Sequence, residues 1–482
     1  MRHIIITITA CFTFLFGFSQ TFNTEHGKSF KKESEKDIYS IVFPSPYGFM
    51  TLHHLDNVMM DNTKAMVLTK YDQSMQAVEN KTFNLPKLGL RASDLKQVIE
   101  TNDQLIFLST VMDKKSKKHQ LNAQVYTQAQ NTVSDNNILA SFAIDGYSKS
   151  GFFNVAISPD QSKFAIFANM PFEKKSNEKV KVWVYDSTLK LLWEQSETLN
   201  YESERAYNEE VYIDNSGKVT IIKVTDEYKK TRKSELLSFD GNSVDTQTLS
   251  DIGFMPMASQ LIDVNGKPML TGFFWSGKKA MLKINSKEGQ DNDGAFLYDL
   301  SANKLIGIHK WSSTLNAEDL KSLAIVDVKV LGDDIYVFGE KQLKDSEFRK
   351  TGGTMTTELD YFYTYGSSVI VNMDAKGTLK SFKPLFNSMK LKNQQKEIGS
   401  FTALNLENGL RVFSNYNGKS SFNSFFTDNE GTFNKPRVRP TENSMPTTPH
   451  ILPKTVVAVK NYGIVYYITK YGDHYWLNKM TW

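Results

Sequence analysis

The chain has 482 residues, a net charge of +4 and an isoelectric point near 8.6, with 40% hydrophobic and 12% aromatic residues. So even a balance excludes a polyelectrolyte, and with it nucleic acid as the main partner, because that role needs a concentrated basic stripe. A mean hydropathy of -0.39 describes a soluble protein with a substantial core.

Arg2 and His3 precede an apolar run from Ile4 to Phe18, and Gly17-Phe18-Ser19 places small residues where a signal peptidase reads. Residues 1–19 are therefore expected to be an export signal, leaving Gln20 as the new N-terminus. A membrane anchor would need a longer run than this. Ile8-Thr9-Ala10-Cys11 mimics a lipoprotein box, but the apolar run continues past Cys11. Cys11 is the sole cysteine, so the exported chain would have no disulfide, no thiolate catalysis and no cysteine metal site.

From residue 37 onward, short segments rich in β-branched and aromatic residues alternate with turn signals. Phe153 to Glu194 is the clearest group: four strands, A to D, separated by a Ser-Pro-Asp-Gln turn, a polar loop and an Asp-Ser-Thr turn. The A-to-B turn recurs at Gly48, Asp103, Asp160, Gly217, Gly266, Asp333, Gly409 and Gly463. A strand C closing on aspartate recurs as well, at Asp72, Asp186, Asp240, Asp299, Asp374 and Asp428. Repetition at roughly 50 to 75 residues, with no helical periodicity, predicts an all-β propeller of four-stranded antiparallel blades. Eight blades are expected, with seven as the alternative count. The last unit lacks a fourth strand, and the otherwise unemployed N-terminal segment (residues 20–36, with Thr21 to Phe30 as the strand) is expected to supply it. The propeller would then occupy residues 37–482.

Ile157-Ser158-Pro159-Asp160 with Lys163 resembles the repeat of TolB-like and related WD40-like propellers, whose turn reads Ser-Pro-Asp-Gly-Lys; here Gln161-Ser162 replaces the glycine. The Phe-Ser-Gln junction is similar to those of Bacteroidetes envelope proteins. Together the resemblances imply a periplasmic or outer-surface protein whose partner belongs to an outer-membrane or secretion complex. An outer-membrane β-barrel is a further alternative, but Phe164 to Ala168 and Val369 to Val371 are apolar on successive residues, which suits sheets buried on both faces.

No nucleophile elbow, phosphate loop or His-Glu-x-x-His motif occurs, so neither a catalytic residue nor a cofactor is assigned. His53, His54 and Asp56 come nearest to a metal cluster, yet neighbours on a strand point to opposite faces, so no metal site is assigned either. The aspartates closing strand C read as turn formers. A propeller hydrolase acting on glycans or peptides, with carboxylates at the channel mouth, is the alternative function.

The favoured function is a non-catalytic, protein-binding scaffold or accessory subunit. In a four-stranded blade the B-to-C and D-to-A connections share one side of the disc, and the B-to-C connections here are long and basic. They carry Lys114 and Lys115, Lys174 and Lys175, Lys229 and Lys230, Lys278 and Lys279, and Arg349. Tyr361, Phe362, Tyr363 and Tyr365 join Arg349 in the sixth connection, read as a loop from Lys341 to Gly366. Aromatics and arginine carry interface energy, so this is the expected hot spot.

Overall fold

Strands B and C are apolar on consecutive residues because each faces a neighbouring sheet on both sides. In the computed structural model, Phe164, Ile166 and Ala168 of Lys163–Asn169 turn toward Ile106, Leu108 and Leu121, whereas Ala165 and Phe167 turn toward Ile213, Val219 and Ile221 of the next sheet. Each fully buried Phe or Ile in such a position contributes about 1.5 to 3 kcal/mol.

The structure describes residues 23–481 except 32–35, 58–62, 102, 147–149, 172, 174, 203–205, 226–232, 250–253, 277–291, 312–319, 321–322, 351–356, 386–388, 393–397, 407–408, 417–418, 428–432, 435–448 and 460. The expected export signal, residues 1–19, lies outside this set.

The fold is a β-propeller. Seven antiparallel sheets of four or five strands follow one another along the chain, each cut from one continuous stretch. A six-stranded sheet is composed instead from the two chain ends, and its inner strand lies between those of the seventh and first blades. Asn23–His26 pairs antiparallel with His474–Thr481, register Asn23 to Thr481, and Phe30–Lys31 continues the pairing with Tyr475 and His474. The N-terminal segment therefore closes the ring, as its sequence position predicts. All eight expected A-to-B turns precede or open a second strand, the last of them inside the composite sheet. Contiguous blades number seven, matching the alternative count; the expected count of eight is reached only by including the composite sheet. Separate sheets arranged this way replace the outer-membrane barrel, which would need one closed sheet. Among the described residues no helix is long and apolar enough to cross a membrane.

The aspartates behave as their positions suggest. Asp72 Oδ1 accepts from the backbone N–H of Ser74 and Gln76, Asp186 Oδ1 from Thr188 and Lys190, Asp240 Oδ1 from Asn242 and Ser243, and Asp374 Oδ1 from Lys376 and Thr378. Asp428 lies outside the described residues. Turns of adjacent blades are also tied together: Asp160 N–H donates to Asn215 Oδ1 at 3.1 Å, and Asn265 Nδ2 donates to Asp333 Oδ1 at 2.6 Å. Gln161 sits at φ +59°, the left-handed position that glycine fills in the related turn.

Blade six departs from the pattern. Its strand B is Asp334–Lys350 and its strand C is Thr357–Asp374, 17 and 18 residues, against 7 and 10 for the same strands of blade three. The expected loop from Lys341 to Gly366 is therefore an antiparallel hairpin, paired from Gln342–Tyr365 out to Lys350–Thr357. Strand D continues beside it after a break, as Met389–Lys392 paired with Tyr365 to Phe362. A three-stranded arm thus extends from the B-to-C end of this blade.

Candidate docking surface on the long-connection face

Alternation along strand C divides the aromatic run of the arm. Tyr363 and Tyr365 stand on one face with Met389 and Leu391, which belong to the apolar cluster that also holds Ile398, Leu452 and Tyr466. Phe362 stands on the opposite face, paired across the sheet with Lys392. The four aromatics cannot form one hot spot, because a strand sends successive side chains to opposite sides.

Tyr363 and Tyr365 anchor the arm. Tyr365 lies so close over Gly399 that a Cβ there would come within 2.1 Å of its ring. Glu340, at the root of the arm, is buried beside Tyr365 and accepts from Gln342 Nε2 at 2.8 Å, with Ser400 and Ser368 also bonded to it. Burial pushes its carboxyl up to about 7, opposed by those hydrogen bonds.

Phe362 is the candidate on the opposite face, and Tyr361, on the side of Tyr363, is the candidate farther out along the arm. Lys390 Nζ lies 4.7 Å and Lys392 Nζ 5.9 Å from the Phe362 ring centroid, and Lys392 also pairs with Asp360 at 2.7 Å. Tyr361 is 37% exposed, with Lys344 Nζ 4.4 Å from its ring centre. Cation–π contacts of this kind contribute about 0.5 to 1 kcal/mol at exposed sites and hold the rings in fixed orientation. Each face of the arm thus carries an aromatic ring with lysine beside it, Phe362 with Lys390 and Lys392 on one and Tyr361 with Lys344 on the other. Lys390 and Lys392 escaped the sequence reading. Their signal was the alternation Met389-Lys390-Leu391-Lys392, which marks a half-buried strand.

Among the expected basic residues, Lys114, Lys115 and Lys175 are exposed at B-to-C connections of blades two and three. Asp113 beside them accepts from Ser116 N–H at 2.8 Å, and hydrogen bonds from Ser116 hold its carboxyl below the usual range. Lys174, Lys229, Lys230, Lys278 and Lys279 lie outside the described residues. Arg349 falls on strand B of the arm, opposite Glu358, rather than in a loop.

His53 is buried and bonded to Thr51, with Oγ1 to Nε2 2.6 Å, while His54 follows it on the strand and so points the other way. Among the described residues no three His, Cys, Asp or Glu side chains are grouped to hold a metal ion.

No protein-family model matches the chain, and no curated protein matches it. Solved structures that are similar to it include the polysaccharide lyase Uly1, at 9% identity and a TM-score of 0.41, covering 95% of this chain and 99% of that one. The N-terminal domain of Nup159 aligns at 9% identity and a TM-score of 0.36, covering 96% of each chain. Pyrococcus horikoshii acylaminoacyl peptidase aligns at 8% identity and 0.37, covering 91% of this chain and 58% of that one.

Proposed function

We propose that the protein is an exported, non-catalytic propeller that docks an acidic macromolecule of the cell envelope, as a scaffold or accessory subunit of an outer-membrane or secretion complex. The observation that carries this reading is the arm of blade six. It extends a three-stranded sheet beyond the blade, with Phe362 beside Lys390 and Lys392 on one face and Tyr361 beside Lys344 on the other. Rigid rings supply contact area at little conformational cost, and the lysines at the B-to-C turns steer an acidic partner toward them. The turn at Ser158 to Lys163, which resembles that of TolB-like propellers, and the expected export signal favour an envelope location.

Affinity purification from the native envelope tests the reading, comparing the wild type with a variant whose residues 344–362 are replaced by a short turn. One partner recovered by the wild type and lost from the variant is expected. Equal recovery by both, or substrate turnover abolished by changing one carboxylate at the channel mouth, would contradict it.

A further inference from the structure

One cluster between blades three and four plays no part in docking. Asn169 ends strand B of blade three (Lys163–Asn169), Glu178 begins strand C (Asn177–Asp186), and Lys223 comes from strand B of blade four (Val219–Thr225). Their relative exposures are 7%, 4% and 0%, so all three are withdrawn from water. Asn169 Nδ2 donates to Glu178 Oε1 at 2.5 Å, and Lys223 Nζ pairs with Glu178 Oε2. The two oxygens of a carboxylate are joined through one carbon, so the lysine amine and the asparagine amide both address the one Glu178 carboxylate. Val180, Val182, Leu199 and Ile221 of the surrounding core exclude solvent.

This is an arrangement that chemistry can use. A buried lysine beside a carboxylate can pass its proton to that carboxylate, because low polarity disfavours a separated pair of charges. The amine is then a nucleophile, and the carboxylic acid a proton donor for whatever group departs. Burial lowers the Lys223 ammonium below the ordinary lysine range, an effect that Glu178 partly opposes.

We propose that Lys223 and Asn169 form an intramolecular isopeptide bond, with Glu178 as the proton shuttle, tying blade three covalently to blade four. Glu178 takes a proton from the Lys223 ammonium, and the free Nζ attacks Asn169 Cγ. The Nζ–Cγ bond forms, Glu178 gives its proton to Nδ2, the Cγ–Nδ2 bond breaks to release ammonia, and the remaining extra proton on Nζ passes through the regenerated Glu178 carboxylate to that ammonia, which leaves as ammonium. Nothing is oxidised or reduced, and no co-reactant is needed. In a chain whose sole cysteine lies in the expected export signal, such a bond would supply the covalent tie that disulfides give elsewhere.

Mass spectrometry of the full chain, denatured and digested with trypsin, decides the matter. The expected product is a branched peptide joining the segments that carry Asn169 and Lys223, lighter by one ammonia, about 17 Da, than their sum. Peptide mapping is required, because cyclisation of an N-terminal Gln20 would cost the intact chain the same mass. The branched peptide should be stoichiometric in the wild type and absent from Glu178→Gln and Asn169→Ala, each checked by circular dichroism for the native sheet content. Separate, unmodified peptides from folded wild-type protein would overturn the proposal. Persistence of the branch in folded Glu178→Gln would overturn the role given to Glu178.

Discussion

Ring closure by the N-terminal segment gives the most direct handle on the fold. Phe30 stacks on Tyr475 with ring centroids 5.7 Å apart, His26 Nδ1 lies 2.5 Å from Asn478 Oδ1, and Gly27 N–H donates to Leu477 O at 2.9 Å. Beneath them Tyr475, Leu477 and Met480 are buried. Phe30→Ala removes a half-buried ring, about 1 to 2 kcal/mol of area, plus about 0.5 to 1 kcal/mol of stacking. Deleting residues 20–31 removes that ring, unpairs the edge of His474–Thr481 and exposes its core residues. The net contribution of the lost backbone hydrogen bonds, about 1 kcal/mol each, is largely offset by the entropy the freed segment regains. Side-chain exposure then dominates, and a cost of about 3 to 5 kcal/mol is expected. The assay is thermal unfolding combined with hydrogen exchange. Deletion should lower the midpoint by several degrees and speed exchange in His474–Thr481, leaving Lys163–Asn169 protected. A control at the exposed tip residue Leu90, changed to Ser, should stay within about 0.5 kcal/mol of the wild type. Unchanged midpoint and unchanged protection after deletion would refute closure by this strand.

Three further outcomes follow from the structure. Because burial raises Glu340 to about 7, the native state holds a proton that the unfolded chain releases near pH 4.3. Stability should therefore fall as pH rises from about 4.3 to 7, by at most about 4 kcal/mol, and Glu340→Gln should flatten that part of a denaturant-midpoint profile. Gln161→Gly should raise stability by about 1 kcal/mol in chemical denaturation, since it relieves a left-handed side chain in an exposed turn. Asp240→Ala should cost about 1 kcal/mol by the same measurement, because two backbone N–H groups lose their acceptor.

Much of the fold was readable because local chemistry and tertiary role coincide. An aspartate after an apolar strand forms its own turn whatever surrounds it, and consecutive buried residues such as Phe164 to Ala168 can only serve a sheet covered on both faces. The missing last strand was readable as an unpaired edge. The arm was not, because Tyr361 to Tyr365 has the same composition in a loop as in a strand, and only pairing with Gln342 to Ser346 and Met389 to Lys392 decides between them. Which aromatics pack into the cluster and which lie on the opposite face depends on register, which no single segment encodes. The Asn169, Glu178 and Lys223 cluster was hidden for a similar reason: Glu178 and Lys223 come from different blades and meet only when the ring is assembled.

The central claim, docking on the long-connection face through the arm, is tested most directly by surface-plasmon kinetics against the protein that co-purifies, at two salt concentrations. Tyr361→Ala with Phe362→Ala should mainly speed dissociation, at a cost of about 2 kcal/mol or more. Lys114→Glu with Lys115→Glu should mainly slow association, with the difference shrinking as salt rises past about 0.15 M. Unchanged rates for both pairs, with binding lost instead on changing Asp160 or Asn215 on the short-turn face, would contradict the account.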